Sequence, residues 1–164
     1  FYYSPHDIDI ILQQAESAAR IGVTSVVFGA LTSNNEVDLE LVQSVKAAAN
    51  GINLTFHRAL DEAIKPTTAL ESLRGTATRI LCSGGAPDIW QGRDQMGAWV
   101  KQLGGAFSFV CAGGVTLANL PELVRITHAQ EYHVGSAARE NGTVNRAKVR
   151  ALVEALDRSG QSGG

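Results

Sequence analysis

Ile80-Leu81-Cys82-Ser83-Gly84-Gly85 and Phe109-Val110-Cys111-Ala112-Gly113-Gly114 are two versions of one pattern, an apolar run of strand length that stops at a glycine pair. Three further segments end in the same way. They are Ser25-Val26-Val27-Phe28-Gly29, Leu54-Thr55-Phe56-His57-Arg58 and Glu131-Tyr132-His133-Val134-Gly135-Ser136. The five recur at intervals of roughly 25–30 residues, the length of one βα unit. Strands that alternate with helices imply a parallel sheet. In such sheets binding and catalytic groups gather where the strands end at their carboxyl side. His57, Arg58, Cys82, Ser83, Cys111 and His133 all fall at such ends.

The intervening segments read as helices. Ser4-Pro5-His6-Asp7 combines an N-cap serine, a proline at the first helical position and an acid three residues after the cap. Ile8, Ile11, Leu12, Ala15, Ala18 and Ala19 follow with helical spacing, and Gly22 ends the run. Asp38 caps a second helix that Asn50-Gly51 stops. Pro66 opens a short helix in which Thr68 and Glu71 fit a capping box. Asp88 begins a helix closed by Gly104-Gly105, and residues 116–127 are helical with a start that Pro121 delays. A last helix is predicted from about Val144 to Leu156, followed by a flexible tail over 159–164.

The expected fold is therefore α/β, a parallel (β/α) sheet of the TIM-barrel type forming one domain over residues 1–158. Five strands cannot close such a barrel, which needs eight strands and typically about 250 residues. The chain opens at Phe1 rather than Met, and the expectation is a partial barrel that lacks the first three strands. An unclosed sheet leaves edge strands with unpaired backbone groups.

Composition narrows the function classes. A net charge of -2 over 164 residues gives no electrostatic reason to expect nucleic acid or an anionic membrane as partner. No apolar run reaches the length of a membrane span. Two cysteines do not make a disulfide framework, so a reducing cytoplasm is the expected compartment.

Three sets of residues can carry chemistry. His57 at a strand end suits a general acid or base, Arg58 suits a carboxylate or phosphate, and Asp61 can orient either. The same residues can instead form an Arg58–Asp61 ion pair that braces the loop, with His57 packed in the mouth of the sheet. Gly84 and Gly113-Gly114 let backbone N–H groups turn towards an anion, with Ser83, Gly135 and Ser136 beside them. Glycine pairs also simply permit tight turns from strand to helix. Cys82 and Cys111 occupy equivalent positions on neighbouring strands about 4.8 Å apart. With His133 they would suit a soft ion such as Cu(I). Small buried apolar side chains are the other fate of free cysteine.

Thr55-Phe56-His57-Arg58-Ala59-Leu60-Asp61 resembles the TFHRAFD block of the CutC copper-homeostasis family. Phe1-Tyr2-Tyr3-Ser4 and Val26-Phe28-Gly29-Ala30-Leu31 are similar to its neighbouring blocks, in the right order. Ile80-Leu81-Cys82-Ser83-Gly84, Ala112-Gly113-Gly114-Val115 with Asn119-Leu120, and Glu131-Tyr132-His133-Val134-Gly135-Ser136-Ala137 resemble later ones. The resemblance implies a (β/α)8 barrel, a cytoplasmic protein that binds or traffics copper, and a homo-oligomer at full length. The cysteines most often proposed as copper ligands in that family lie in strands upstream of this sequence. Cys82 stands where the family usually has threonine, and Cys111 is outside its pattern. The alternative expectation is an enzyme of small phosphorylated or carboxylated metabolites with His57 as acid–base.

Overall fold

A computed structural model describes residues 1–161. The chain is organised as two compact units that divide within the third strand, Phe1–Ile80 and Leu81 onward. The main strands form a parallel sheet in the order β1-β2-β3-β4-β5. Its members are Ser25–Phe28, Asn53–Phe56, Arg79–Cys82, Ser108–Cys111 and Glu131–Tyr132. Each is short, and the buried positions of the first four are apolar apart from Thr55 in β2, as strands covered by helices tend to be.

In the first unit, α1 (Pro5–Arg20) starts with the capping box that the sequence encodes. Ser4 accepts from the Asp7 N–H while the Asp7 carboxylate accepts from the Ser4 N–H. That reciprocal pair satisfies two of the orphan donors of the first turn. Asp38 caps α2 (Leu39–Ala48), whose Leu41, Val42 and Val45 are buried. Helix α1 packs on α2. Strands β1 and β2 pair in register, Phe28 beside Phe56. A one-turn helix, α3 (Ala59–Glu62), follows β2 directly and precedes α4 (Pro66–Ser72). The expected Thr68–Glu71 box does not form. Lys65 is the cap of α4 and makes no side-chain cap bond, while Glu71 pairs with Arg74 three residues on. The salt bridge at i, i+3 competes for the carboxylate and wins.

The second unit is built on α5 (Ile89–Leu103), capped by Asp88, which packs on α6 (Leu120–Thr127). Helix α6 packs in turn on α7 (Arg146–Gln161). Met96, Trp99, Phe109, Leu120, Leu123 and Leu152 are buried in its core. Pro121 does fix the start of α6 at Leu120. After β5 a 3-10 turn at Ser136–Ala138 leads into a small antiparallel ribbon, β6 (Arg139–Glu140) and β7 (Thr143–Val144). Asn141 and Gly142 take left-handed conformations at its tip, as a two-residue hairpin requires. Helix α7 continues through Gln161, so residues 159–161 are helical rather than a tail. The rest of the expected tail, residues 162–164, lies outside the described residues. Among the described residues, no helix is long and apolar enough to cross a membrane.

Candidate functional site

The end of β2 carries three neighbouring polar side chains, His57, Arg58 and Asp61. The β1–β2 register puts Gly29 and His57 side by side, each one residue beyond its strand. His57 is half-buried. Its Nδ1 accepts a hydrogen bond from the Ala59 N–H at 3.2 Å. Its ring lies 4.7 Å from that of Phe1 and 6.1 Å from that of Phe56, centroid to centroid. Phe1 is held there because its carbonyl accepts from the Leu31 N–H, and because Tyr3 stacks on Phe28 and donates to the Gly29 carbonyl. Burial pushes the His57 pKa below its ordinary value. A hydrogen bond with its own backbone and the Glu62 carboxylate oppose this.

Arg58 and Asp61 form the ion pair that the spacing allows. The Arg58 Nε donates to Asp61 Oδ2 at 2.9 Å. The Arg58 side chain is 38% exposed and that of Asp61 4%, so the carboxylate anchors the guanidinium from below while the cation reaches solvent. The structure thus brings His57, Arg58 and Asp61 together on one turn.

Sequence reasoning missed Thr55. It shares a face of β2 with His57, by the two-residue period of a strand. Its Oγ1 is buried without a hydrogen-bond partner, which is uncommon for a buried hydroxyl. The signal available in the sequence was that alternation, Thr55 then His57.

In the second unit, both glycine corners adopt paired left-handed conformations. The φ angles of Gly84 and Gly85 are 76° and 73°, and those of Gly113 and Gly114 are 86° and 89°. These are positions that L side chains rarely occupy. The corners also serve packing. The Gly113 carbonyl accepts from the Ile89 N–H at 2.8 Å, and Asn119 Nδ2 donates to the Gly114 carbonyl at 2.9 Å. Ser83 is buried and its hydroxyl donates to the Ala86 carbonyl. A Cβ on Gly84 would collide with the Gly92 carbonyl, and one on Gly92 with the Ser83 carbonyl. Helix α5 therefore rests its first turn directly on the corner after β3. Gly135 and Ser136 are exposed and open the 3-10 turn.

Cys82 and Cys111 are fully buried on adjacent strands, the Ala112 N–H donating to the Cys82 carbonyl at 2.9 Å. His133 follows β5, and its N–H donates to the Cys111 carbonyl at 2.8 Å, but its side chain is on the exposed surface. Among the described residues, no group of three or more His, Cys, Asp or Glu side chains is placed to hold a metal ion. The Cys111 thiol donates to Thr127 Oγ1 at 3.7 Å. That hydroxyl donates to the Leu123 carbonyl, accepts from the Ala129 N–H and meets the Tyr132 hydroxyl at 3.2 Å.

Burial pushes the Cys111 thiol up to about 11, with the Thr127 bond opposing, against an ordinary value of 9.0. The folded value is the higher one, so the stability linked to this group is complete below pH 9 and is lost as pH rises towards 11. Urea unfolding should therefore show a loss of about 2–3 kcal/mol between pH 8 and 11 that a Cys111→Ala variant lacks in that window. Equal pH slopes in the two proteins would contradict it.

A parallel sheet with a helix after each strand and polar groups at the strand ends is the class of (β/α) barrel-type proteins. The chain belongs to the CutC family, whose model matches residues 1–138. It is 34% identical over 146 residues to the family protein CutC of Glaesserella parasuis, covering 88% of this chain and 60% of that protein. It is 32% identical over 149 residues to the family protein CutC of Photobacterium profundum, covering 90% and 61%. Among solved structures it is similar to a candidate copper homeostasis protein, CutC, of Streptococcus agalactiae. The TM-score is 0.75 at 26% identity, over 80% of this chain and 65% of that one. The chain thus spans about three-fifths of the length of these curated relatives.

Proposed function

We propose that the chain takes part in copper homeostasis in the cytoplasm, as a portion of a CutC-type barrel that assembles as a homo-oligomer at full length. The observation that supports it is family membership together with the likeness to the S. agalactiae protein, whose name carries that role. Copper is cargo in this reading. Cys82 and Cys111 are the proposed ligands, because two thiolates on adjacent strands suit Cu(I). His133 would complete them only by a change of side-chain position, since it is exposed while the thiols are buried. Binding must displace the thiol protons, so affinity rises with pH. An anaerobic Cu(I) titration against a chromophoric chelator tests this. This chain should compete for copper, and a Cys82→Ser, Cys111→Ser double variant should not. Uptake that survives the double substitution would rule out the thiolate pair.

A second reading, an enzyme-like site for a small phosphorylated or carboxylated metabolite, is favoured by the Arg58–Asp61 bond. It holds an exposed guanidinium next to His57 on a strand end, and such a fork suits planar anions. In the second unit this reading assigns anion contacts to Ser83, Gly84, Gly113, Gly114, Gly135 and Ser136. Inorganic phosphate or citrate should raise the melting temperature, and Arg58→Ala should abolish the rise. No rise across a panel of sugar phosphates and carboxylates would discard the enzyme reading.

A further inference from the structure

We propose that His57 is held as its neutral tautomer with the proton on Nε2, presenting a hydrogen-bond donor to an oxygen of a bound anion, and that Gly29 is the positioning residue that makes this seat possible. The donor role rests on the enzyme-like reading of the β2 end; the seat does not.

The Ala59 N–H points at Nδ1. A nitrogen that accepts an N–H bond carries no proton of its own, so in the neutral ring the proton is on Nε2. Protonating Nδ1 would forfeit the Ala59 bond and turn that nitrogen to the His57 carbonyl instead, an exchange that burial of the ring opposes. Ala59 is the first residue of α3, where backbone N–H groups have no partner within the helix, and His57 supplies one. His57 thus acts as acceptor towards its own chain and donor outward. A general base needs the reverse arrangement, a lone pair facing the ligand. The group that sequence reasoning casts as acid or base becomes a fixed donor, of the type that stabilises negative charge on an oxygen.

Gly29 supplies the space. A Cβ there would lie 2.6 Å from Nδ1, 2.8 Å from Cε1 and 3.2 Å from the Ala59 Cβ. The first two distances are too short to tolerate, so the ring or the strand end must move. The φ of Gly29 does not fall in the left-handed region, so the glycine is required by the neighbour and not by its own backbone. The Phe1 ring also adjoins the imidazole, 4.7 Å away centroid to centroid and tilted by 48°. Of the charged side chains, Glu62 acts on the ring and favours its charged form.

Two-bond 1H–15N spectra of the histidine rings at pH 7 test the proposal. Wild-type His57 should show a protonated Nε2 and an unprotonated Nδ1, with no imidazolium signal. Gly29→Ala should lose that pattern, moving His57 to mixed tautomers like those of a free histidine. A wild-type His57 with the proton on Nδ1, or charged at pH 7, would overturn the seat. A folded Gly29→Ala with an unchanged His57 pattern would overturn the role of Gly29. Should that variant fail to fold, the wild-type spectrum still decides the tautomer. Titration with inorganic phosphate and with citrate reads the donor role separately. The Nε2–H resonance should move in the wild type and stay put in Arg58→Ala. An unmoved resonance beside the expected tautomer, in a protein whose melting temperature the same anions raise, would overturn the donor role alone, and no rise in melting temperature would overturn the anion reading, while the seat stands in either case.

Discussion

Gly92→Ala should destabilise the second unit by more than about 4 kcal/mol, enough to leave little of it folded. Local propensity argues the other way. Alanine in the interior of a helix is favoured over glycine by about 1 kcal/mol, and Gly92 lies in the first turn of α5. The contact decides the sign. The added methyl would run into the Ser83 carbonyl, a backbone group on a buried corner, and would also meet the Ala86 Cβ at 3.1 Å. A side chain could swing aside; this peptide cannot without carrying the end of β3 with it. Gly105→Ala is the control, because a Cβ there meets nothing within 4 Å. It should change stability by less than about 0.5 kcal/mol. Both tryptophans, Trp90 and Trp99, lie in the second unit, so fluorescence-detected urea unfolding reads this unit directly. A Gly92→Ala protein within about 1 kcal/mol of wild type would refute the close approach.

Phe56→Ala should cost about 3–5 kcal/mol, the range for truncating a buried phenylalanine. Phe56 is completely buried, pairs with Phe28 on one side and Ile80 on the other, and is the last residue of β2 before His57. Its removal would leave a cavity under the strand end and take away one of the two rings that flank the imidazole. Phe56→Leu keeps most of the volume and should cost less than half as much. The first unit has no tryptophan, so circular dichroism is the appropriate probe. A loss below about 1.5 kcal/mol for the alanine variant would mean that the strand end collapses onto the gap and that the packing is looser than described.

Much of this architecture could be read from local chemistry. The helix starts at Ser4, Asp38 and Asp88 are encoded by side chains that bond their own first turns, so a few consecutive residues suffice to identify them. The Arg58–Asp61 pair was legible for the same reason. Thr68–Glu71 misled because the carboxylate had a second suitor, Arg74, at equal distance in the sequence just past the end of α4. The short α3 and the β6–β7 ribbon carry too few residues for a periodicity to register. The role of Gly29 could not be read from its own neighbourhood at all. It depends on a ring 28 positions away, brought beside it by strand register. Buried thiols pose the opposite problem. Their spacing on neighbouring strands was evident, but their burial, the bond to Thr127 and the exposure of His133 follow only from tertiary packing.

Both cysteines lie in the second unit, and the first has none. Alkylation by a reagent such as iodoacetamide can proceed only through openings that expose the sulfur, so the two thiols act as a clock on the breathing of one half of the chain. Amide exchange in β1 and β2 supplies the matching clock for the other half. Equal opening free energies would mean that the halves unfold as one cooperative body. A lower value for the thiols would identify residues 81 onward as a separate foldon, able to open while the His57 turn remains intact.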